Sequence, residues 1–150
     1  GPIIFVTAAG SVLGQVIVEA GFVGYIQEHA GVLSAMGVFF PFLIAAILKS
    51  AQGSSTVAMT TTAGIMGLFS ESGTLMSALG MTTPIAAALV IMAIAAGSMV
   101  VSHANDSYFW VVAGFGNISA QDGYRTQTMV SLIEGVSAII AIFILSLILL

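Results

Sequence analysis

Eight side chains of this chain carry a formal charge, Glu19, Glu28, Lys49, Glu71, Asp106, Asp122, Arg125 and Glu134, and the runs between them include stretches long and apolar enough to cross a hydrocarbon core of about 30 Å. Charge this sparse limits the possible folds more than any motif does. A soluble domain gives about a quarter of its residues to Asp, Glu, Lys and Arg, whereas here the share is 5%, against 59% apolar residues and a mean hydropathy of +1.15. Such a chain cannot solvate a globular surface. The expected class is an all-α, polytopic membrane protein in contact with lipid. The net charge of −4 leaves no basic face, so no nucleic acid partner is expected. With no cysteine, and two histidines far apart in sequence, neither a disulfide framework nor a metal site is expected, and no cofactor is called for. Gly1, Pro2 and Ile3 open the chain without an initiator Met or a basic n-region. This reads as a chain entered partway, the C-terminal part of one membrane domain.

Residues 3–18 are apolar or small, with Gly10 and Gly14 spaced for close helix approach, and predict a first helix. Residues 19–31 mix acids, glycines and aromatics and suit an interface loop. The next segment, about 32–69, holds two apolar legs separated by Gln52, Gly53, Ser54, Ser55 and Thr56. Counted from Pro41 to Lys49 and from Thr56 to Phe69, the legs rise only about 13 Å and 21 Å at 1.5 Å per residue. Neither crosses a membrane alone. A re-entrant helical hairpin, or one helix broken at mid-membrane, accounts for the lengths, and either requires the exposed backbone to be buried in protein or to line a wet cavity. Residues 71–80 read as a polar interface loop. A further helix opens at Thr83 and Pro84, carries the close-packing pair Ala93 and Gly97, and breaks at residues 102–107 before an aromatic piece, giving a broken helix over about 82–116. Ser119 and Asp122 have the spacing of a helix N-cap pair, and a last span covers about 126–150.

The two polar breaks hold the candidate chemistry. A helix that begins inside a membrane presents unpaired N–H groups and a partial positive charge, which can hold an anion without a buried cation. Gln52, Gly53, Ser54, Ser55 and Thr56 stand where the second leg begins: hydroxyls and N–H groups for a carboxylate or polyol, an amide that donates and accepts, and a glycine that allows close backbone approach. The plainer reading is that these hydroxyls cap the leg or bond back one turn, which is the expectation for Thr60, Thr61 and Thr62. In the second break, Asp106 with His103 and Asn105 places ionisable groups at membrane depth, where they commonly face a polar pathway. His103 and Asp106 could share a proton across one turn, while Asn105 or Asp106 could equally cap the helix at Tyr108. Lys49, closing the first leg, is expected to snorkel outward, with helix-end stabilisation or attraction of an anion as its other uses. Glu134 ranks as an interface residue first and a coupling acid second. Tyr108, Trp110 and Tyr124 suit interfacial anchors.

The wording at the breaks, Ala51-Gln52-Gly53-Ser54-Ser55-Thr56-Val57-Ala58 and His103-Ala104-Asn105-Asp106-Ser107-Tyr108-Phe109-Trp110, resembles the signature stretches of the gluconate:proton symporter family. Ala8-Ala9-Gly10 with Gln15-Val16-Ile17, and Thr126-Gln127-Thr128-Met129 through Glu134, add weaker similarity in the same order. The resemblance implies the C-terminal half of an inverted-repeat fold, with the first break as the tip of a re-entrant hairpin and the second as the unwound part of a broken transmembrane helix. It implies a multi-pass protein of the bacterial inner membrane, acting as a homodimer, that imports gluconate or a related small hydroxy-carboxylate with protons. On that reading Gln52, Gly53, Ser54, Ser55, Thr56, Asn105, Asp106 and Ser107 bind the substrate, and Asp106 or His103 carries the proton.

Other functions fit less of the chain. Sodium coupling is the near alternative, because hairpin carbonyls and hydroxyls also suit Na⁺. An intramembrane hydrolase using Ser54 or Ser55 with His103 lacks a Gly-x-Ser-x-Gly elbow, so the chain is not expected to be an enzyme. A structural or channel subunit of a membrane complex is the remaining class.

Overall fold

The computed structural model describes Val16, residues 19–21 and residues 36–150. The expected first helix, most of the loop after it, and the opening of the segment that starts near residue 32 lie outside the described residues. Every regular element among the described residues is helical: α1 (Phe39–Gln52), α2 (Ser55–Met66), α3 (Leu75–Ala78), α4 (Pro84–Met99), α5 (Ser107–Phe115), α6 (Ala120–Gly123) and α7 (Met129–Leu149).

Local sequence accounts for where each helix starts and stops. Pro41 lies in the first turn of α1, where its missing N–H costs no hydrogen bond. Gly53 ends α1 in the left-handed region at φ 83°, and its N–H donates to the Lys49 carbonyl (2.8 Å). One residue later Ser54 turns extended and caps α2, its Oγ accepting from the Val57 N–H (3.3 Å). Thr83 caps α4 in the same way, with Pro84 at the first helical position, pre-set for the helix. Asp106 caps α5.

The helix α4 is the centre of the molecule. It packs most extensively on α1, then on α7, and also on α2. Leu89, Val90, Ala93, Ile94 and Ala96 are all buried along it. At Gly97 the approach to α1 is closest: a Cβ there would overlap the Phe42 carbonyl oxygen and crowd Ala45. The segment expected to be a polar loop, residues 71–80, does more than connect. Thr74 caps the short α3, and Leu75, Met76 and Leu79 are buried in the core, because an apolar turn placed against α2 and α4 loses less by packing than by facing water.

The last helix is longer than expected. Helical turns run from Ala120 to Leu149, 30 residues, apolar enough to cross a membrane, with a π-helical stretch at Tyr124–Thr128 between α6 and α7. Ser119 accepts from the Asp122 N–H (3.1 Å) and donates to its carboxylate (2.7 Å), which starts the helix well before residue 126. Ile139 and Ile142 are buried against the core, while Ile140, Ile144, Leu147 and Ile148 are exposed.

Candidate functional site

The two interruptions meet. A Cβ on Gly53 would fall on the backbone carbonyl of Asn105, so the turn between α1 and α2 lies against the backbone between α4 and α5. Sequence reasoning gives Gly53 the task of admitting a ligand, and in the structure the group it admits is the Asn105 peptide. Two side chains of the second break converge on one carbonyl in the last turn of α1. His103 Nε2 lies 3.1 Å from the Ser50 oxygen, and Asn105 Nδ2 donates to the same oxygen at 2.9 Å. A carbonyl only accepts, so Nε2 of His103 carries a proton there.

Lys49 and Asp106 form the core of this junction. The Lys49 Nζ donates to Asp106 Oδ2 at 2.6 Å and to the Gly53 carbonyl at 2.7 Å. The expectation that Lys49 snorkels outward is wrong. Its side chain is 1% exposed, because an opposite charge and a helix-terminal carbonyl inside the protein together replace the water that its ammonium would otherwise seek.

The two oxygens of Asp106 have separate partners. Oδ1 accepts the Tyr108 N–H (2.9 Å) and so caps α5, whereas Oδ2 accepts both the Lys49 ammonium and the Ser102 hydroxyl (2.6 Å). Capping and a polar role therefore coexist in one residue. The side chains of His103 and Asp106 have different partners, Ser50 for one and Lys49, Ser102 and Tyr108 for the other, while the two residues meet through the backbone, the Asp106 N–H donating to the His103 carbonyl (2.8 Å).

From the other side, α7 and the turn before it hold the second break in place. Thr128 Oγ1 donates to the Ser102 carbonyl (2.6 Å), and the Ser102 N–H donates to Ser131 Oγ (2.9 Å). The peptide groups around Ser102 are thus gripped at both polar ends, next to Val101 at φ 56°. A β-branched residue rarely occupies that region and does so at a cost of about 1–3 kcal/mol, so it persists only where its surroundings hold it. The Trp110 indole N–H donates to the Ala104 carbonyl (2.8 Å), which makes this ring a brace for the break.

A cavity of about 250 Å³ opens beside the ion pair, with Lys49, Ser55, Ser102, Asp106, Gln127 and Glu134 on its polar wall. Of the residues singled out as substrate ligands, Ser55 and Asp106 face it. The Gln52 amide donates instead to the Ser54 carbonyl (3.1 Å), Ser54 is used as a cap, and Thr56, Asn105 and Ser107 are exposed away from this wall. Thr60 bonds back to the Thr56 carbonyl (2.9 Å), the plain structural use expected of it. Sequence reasoning missed Ser102, Gln127, Thr128 and Ser131 as contributors. Lys49 had a usable signal: a lone lysine beside one break and a lone aspartate in the other are complementary charges that a membrane would force together.

The family model of GntP family permeases matches residues 1–148. This chain belongs to that family. The resemblance carried by residues 51–58 and 103–110 is thus one of family membership. It is 31% identical to the gluconate permease of Pseudomonas aeruginosa over 98% of this chain and 31% of that protein. It is 34% identical to the low-affinity gluconate transporter of Escherichia coli over 90% of this chain and 29% of that protein. A third relative, the Gnt-II system L-idonate transporter of Escherichia coli, is 29% identical over 93% of this chain and 30% of that protein. The chain spans about a third of the length of these curated relatives. No solved structure matches it.

Proposed function

We propose that this permease chain supplies one side of the substrate site of a secondary active transporter, which takes up gluconate or a related small hydroxy-carboxylate with a proton across the bacterial inner membrane. The observation that carries the reading is the buried Lys49–Asp106 pair, which ties together two helix interruptions beside a polar cavity in a member of a permease family. The named substrates of the relatives, gluconate and L-idonate, are both sugar acids, and an ammonium among hydroxyls matches that chemistry.

Helix lengths support the membrane arrangement. At 1.5 Å per residue α1 and α2 rise about 21 Å and 18 Å, α4 and α5 about 24 Å and 14 Å, all short of a 30 Å hydrocarbon core, while α7 alone rises about 32 Å. In our reading α1 and α2 are the legs of a re-entrant hairpin with Gly53 at its tip, and α4 and α5 are one transmembrane helix broken at residues 100–106. The breaks then lie at mid-membrane, where side chains meet the backbone groups set free, Lys49 on the Gly53 carbonyl, His103 and Asn105 on that of Ser50, and Thr128 and Ser131 on the Ser102 peptide groups.

Within that frame Ser55, at the start of α2, and Asp106 face the anion across the cavity, and the other residues of the two breaks, Gln52, Gly53, Ser54, Thr56, Asn105 and Ser107, shape the backbone that holds them. Asp106 is the coupling group. His103 is second, since its Nε2 is engaged by Ser50. A homodimer of multi-pass subunits is the working assembly.

The test is uptake of labelled gluconate by the complete permease in proteoliposomes. An imposed pH gradient is expected to drive accumulation when choline replaces Na⁺, and a protonophore to abolish it. Uptake that requires Na⁺ reassigns the coupling ion. Absence of sugar-acid uptake under every gradient overturns the reading.

A further inference from the structure

Lys49 has three N–H donors, of which one goes to Asp106 and one to the Gly53 carbonyl. Its side chain also forms part of the cavity wall. The third donor is the point at which a ligand carboxylate can meet the only lysine of the chain.

We propose that Lys49 is the carboxylate receptor of this site, and that the substrate carboxylate and the Asp106 carboxylate replace one another on it as Asp106 gains and loses a proton. The proposal rests on the transport reading above and adds the residue that recognises the acid and the reason a proton accompanies it.

The geometry of Asp106 suits such an exchange. Protonation at Oδ2 ends its role as counter-ion, yet leaves Oδ1 free to keep the Tyr108 N–H and thus the cap of α5. The new O–H has a partner in place. Ser102 Oγ, which donates to Oδ2 at 2.6 Å, is a hydroxyl and can accept as well as donate. The Ser102 backbone stays fixed through its own N–H and carbonyl bonds to Ser131 and Thr128, so the hydroxyl can turn while the residue holds position. The one O–H bond formed on Asp106 is the only covalent change, and it reverses when the proton leaves to water. The substrate is chemically untouched.

Charge explains the coupling. Among the described residues, the ionisable groups facing Asp106 are Lys49 from α1, Tyr108 at the start of α5, Glu134 from α7 across the cavity, and His103 within the same break, its ring turned to Ser50. With Lys49 positive and Asp106 and Glu134 negative, the wall has a net charge of −1. A substrate anion entering alone would make it −2 in a site partly removed from water, where like charges are costly. An anion entering with one proton leaves it at −1. Proton and acid therefore favour each other's binding, and the reciprocity of linked equilibria makes the effect equal in both directions. The cavity, about 250 Å³, falls just below the roughly 300–1,000 Å³ of drug-sized ligand sites, the size class of a small solute.

The experiment is gluconate binding to the complete permease in detergent, by calorimetry across pH, with proton uptake read from an indicator dye in weak buffer. Wild type is expected to take up one proton per gluconate bound, and its affinity to rise about tenfold for each unit that pH falls. In Asp106→Asn binding is expected to become independent of pH and proton-free, and in proteoliposomes gluconate should equilibrate without accumulating. The double variant Lys49→Gln with Asp106→Asn leaves no lone buried charge, so it separates recognition from folding. It is expected to lose at least tenfold of the preference for gluconate over the uncharged polyol glucitol. Retained acid preference in the double variant overturns the role of Lys49. Proton uptake that persists in Asp106→Asn but vanishes in Glu134→Gln overturns the exchange and gives the proton to Glu134. Wild-type binding of gluconate without a proton at every pH removes the exchange alone, whereas no binding of any sugar acid removes the transport reading with it.

Discussion

At the scale of single residues, Gly53 shows how a sequence signal can be right about position and incomplete about cause. A glycine among hydroxyls marks a place where backbone comes close to something, and the sequence offers a ligand as that something. The structure adds two constraints that no pattern displays: φ of 83° and a Cβ position already filled by the Asn105 carbonyl. Gly73 shares the backbone state at φ 81° but has open space around it. Alanine at position 73 should therefore cost only the left-handed strain, about 1–2 kcal/mol, while Gly53→Ala should cost at least twice as much and also weaken gluconate binding by forcing the breaks apart. Thermal unfolding of the two variants in detergent, side by side with ligand titration, checks both. Equal losses in the two would mean that the contact with Asn105 carries no weight.

At the scale of elements, the ends of the helices were the readable part. Ser119 with Asp122, Thr83 with Pro84, and the cap before Tyr108 all follow from local preferences of Ser, Thr and Asp for bonding to nearby N–H groups. What the sequence could not supply was the grip of α7 on the second break, because Thr128 and Ser131 reach Ser102 across 26 and 29 residues and nothing in their own neighbourhood distinguishes them from ordinary helix hydroxyls. Two measurements probe these elements. Asp106→Asn keeps an oxygen to accept the Tyr108 N–H and Asp106→Ala does not, so the alanine variant should be less stable than the asparagine variant by about 0.5–2 kcal/mol, although neither should take up a proton on binding. Ser131→Ala leaves the buried Ser102 N–H without its acceptor, a loss of about 1–3 kcal/mol. If the grip sets the position of Asp106, the same variant also displaces the pH at which half-maximal gluconate binding occurs, a readout that a loss of stability alone would not move.

At the scale of the whole molecule, hydropathy located the apolar segments and the gaps between them, since burial in lipid and burial in protein ask for the same residues. It could not say which helix is central, because α4 is apolar on every side and presents no face to choose. The clue was the pair Ala93 and Gly97, read from sequence as a site of close approach, and it is at Gly97 that α4 meets the Phe42 carbonyl of α1. That contact has leverage beyond its size: α1 ends at the Lys49 side of the ion pair and α4 leads into the Asp106 side, so their separation sets the geometry of the cavity between them. Replacing a helical glycine by alanine usually stabilises a helix by about 0.5–1 kcal/mol, as chain entropy would have it, and Gly114 in α5, with nothing within 4 Å of its Cβ position, should behave in that way. Gly97→Ala should have the opposite sign, because the methyl must push two backbones apart in a close-packed interior. It should lower the unfolding temperature and weaken gluconate binding together, while Gly114→Ala raises the first and leaves the second within error. Both parameters unchanged in Gly97→Ala would show that α1 and α4 have room to spare, and would separate the cavity's geometry from the packing of the helices that lead to it.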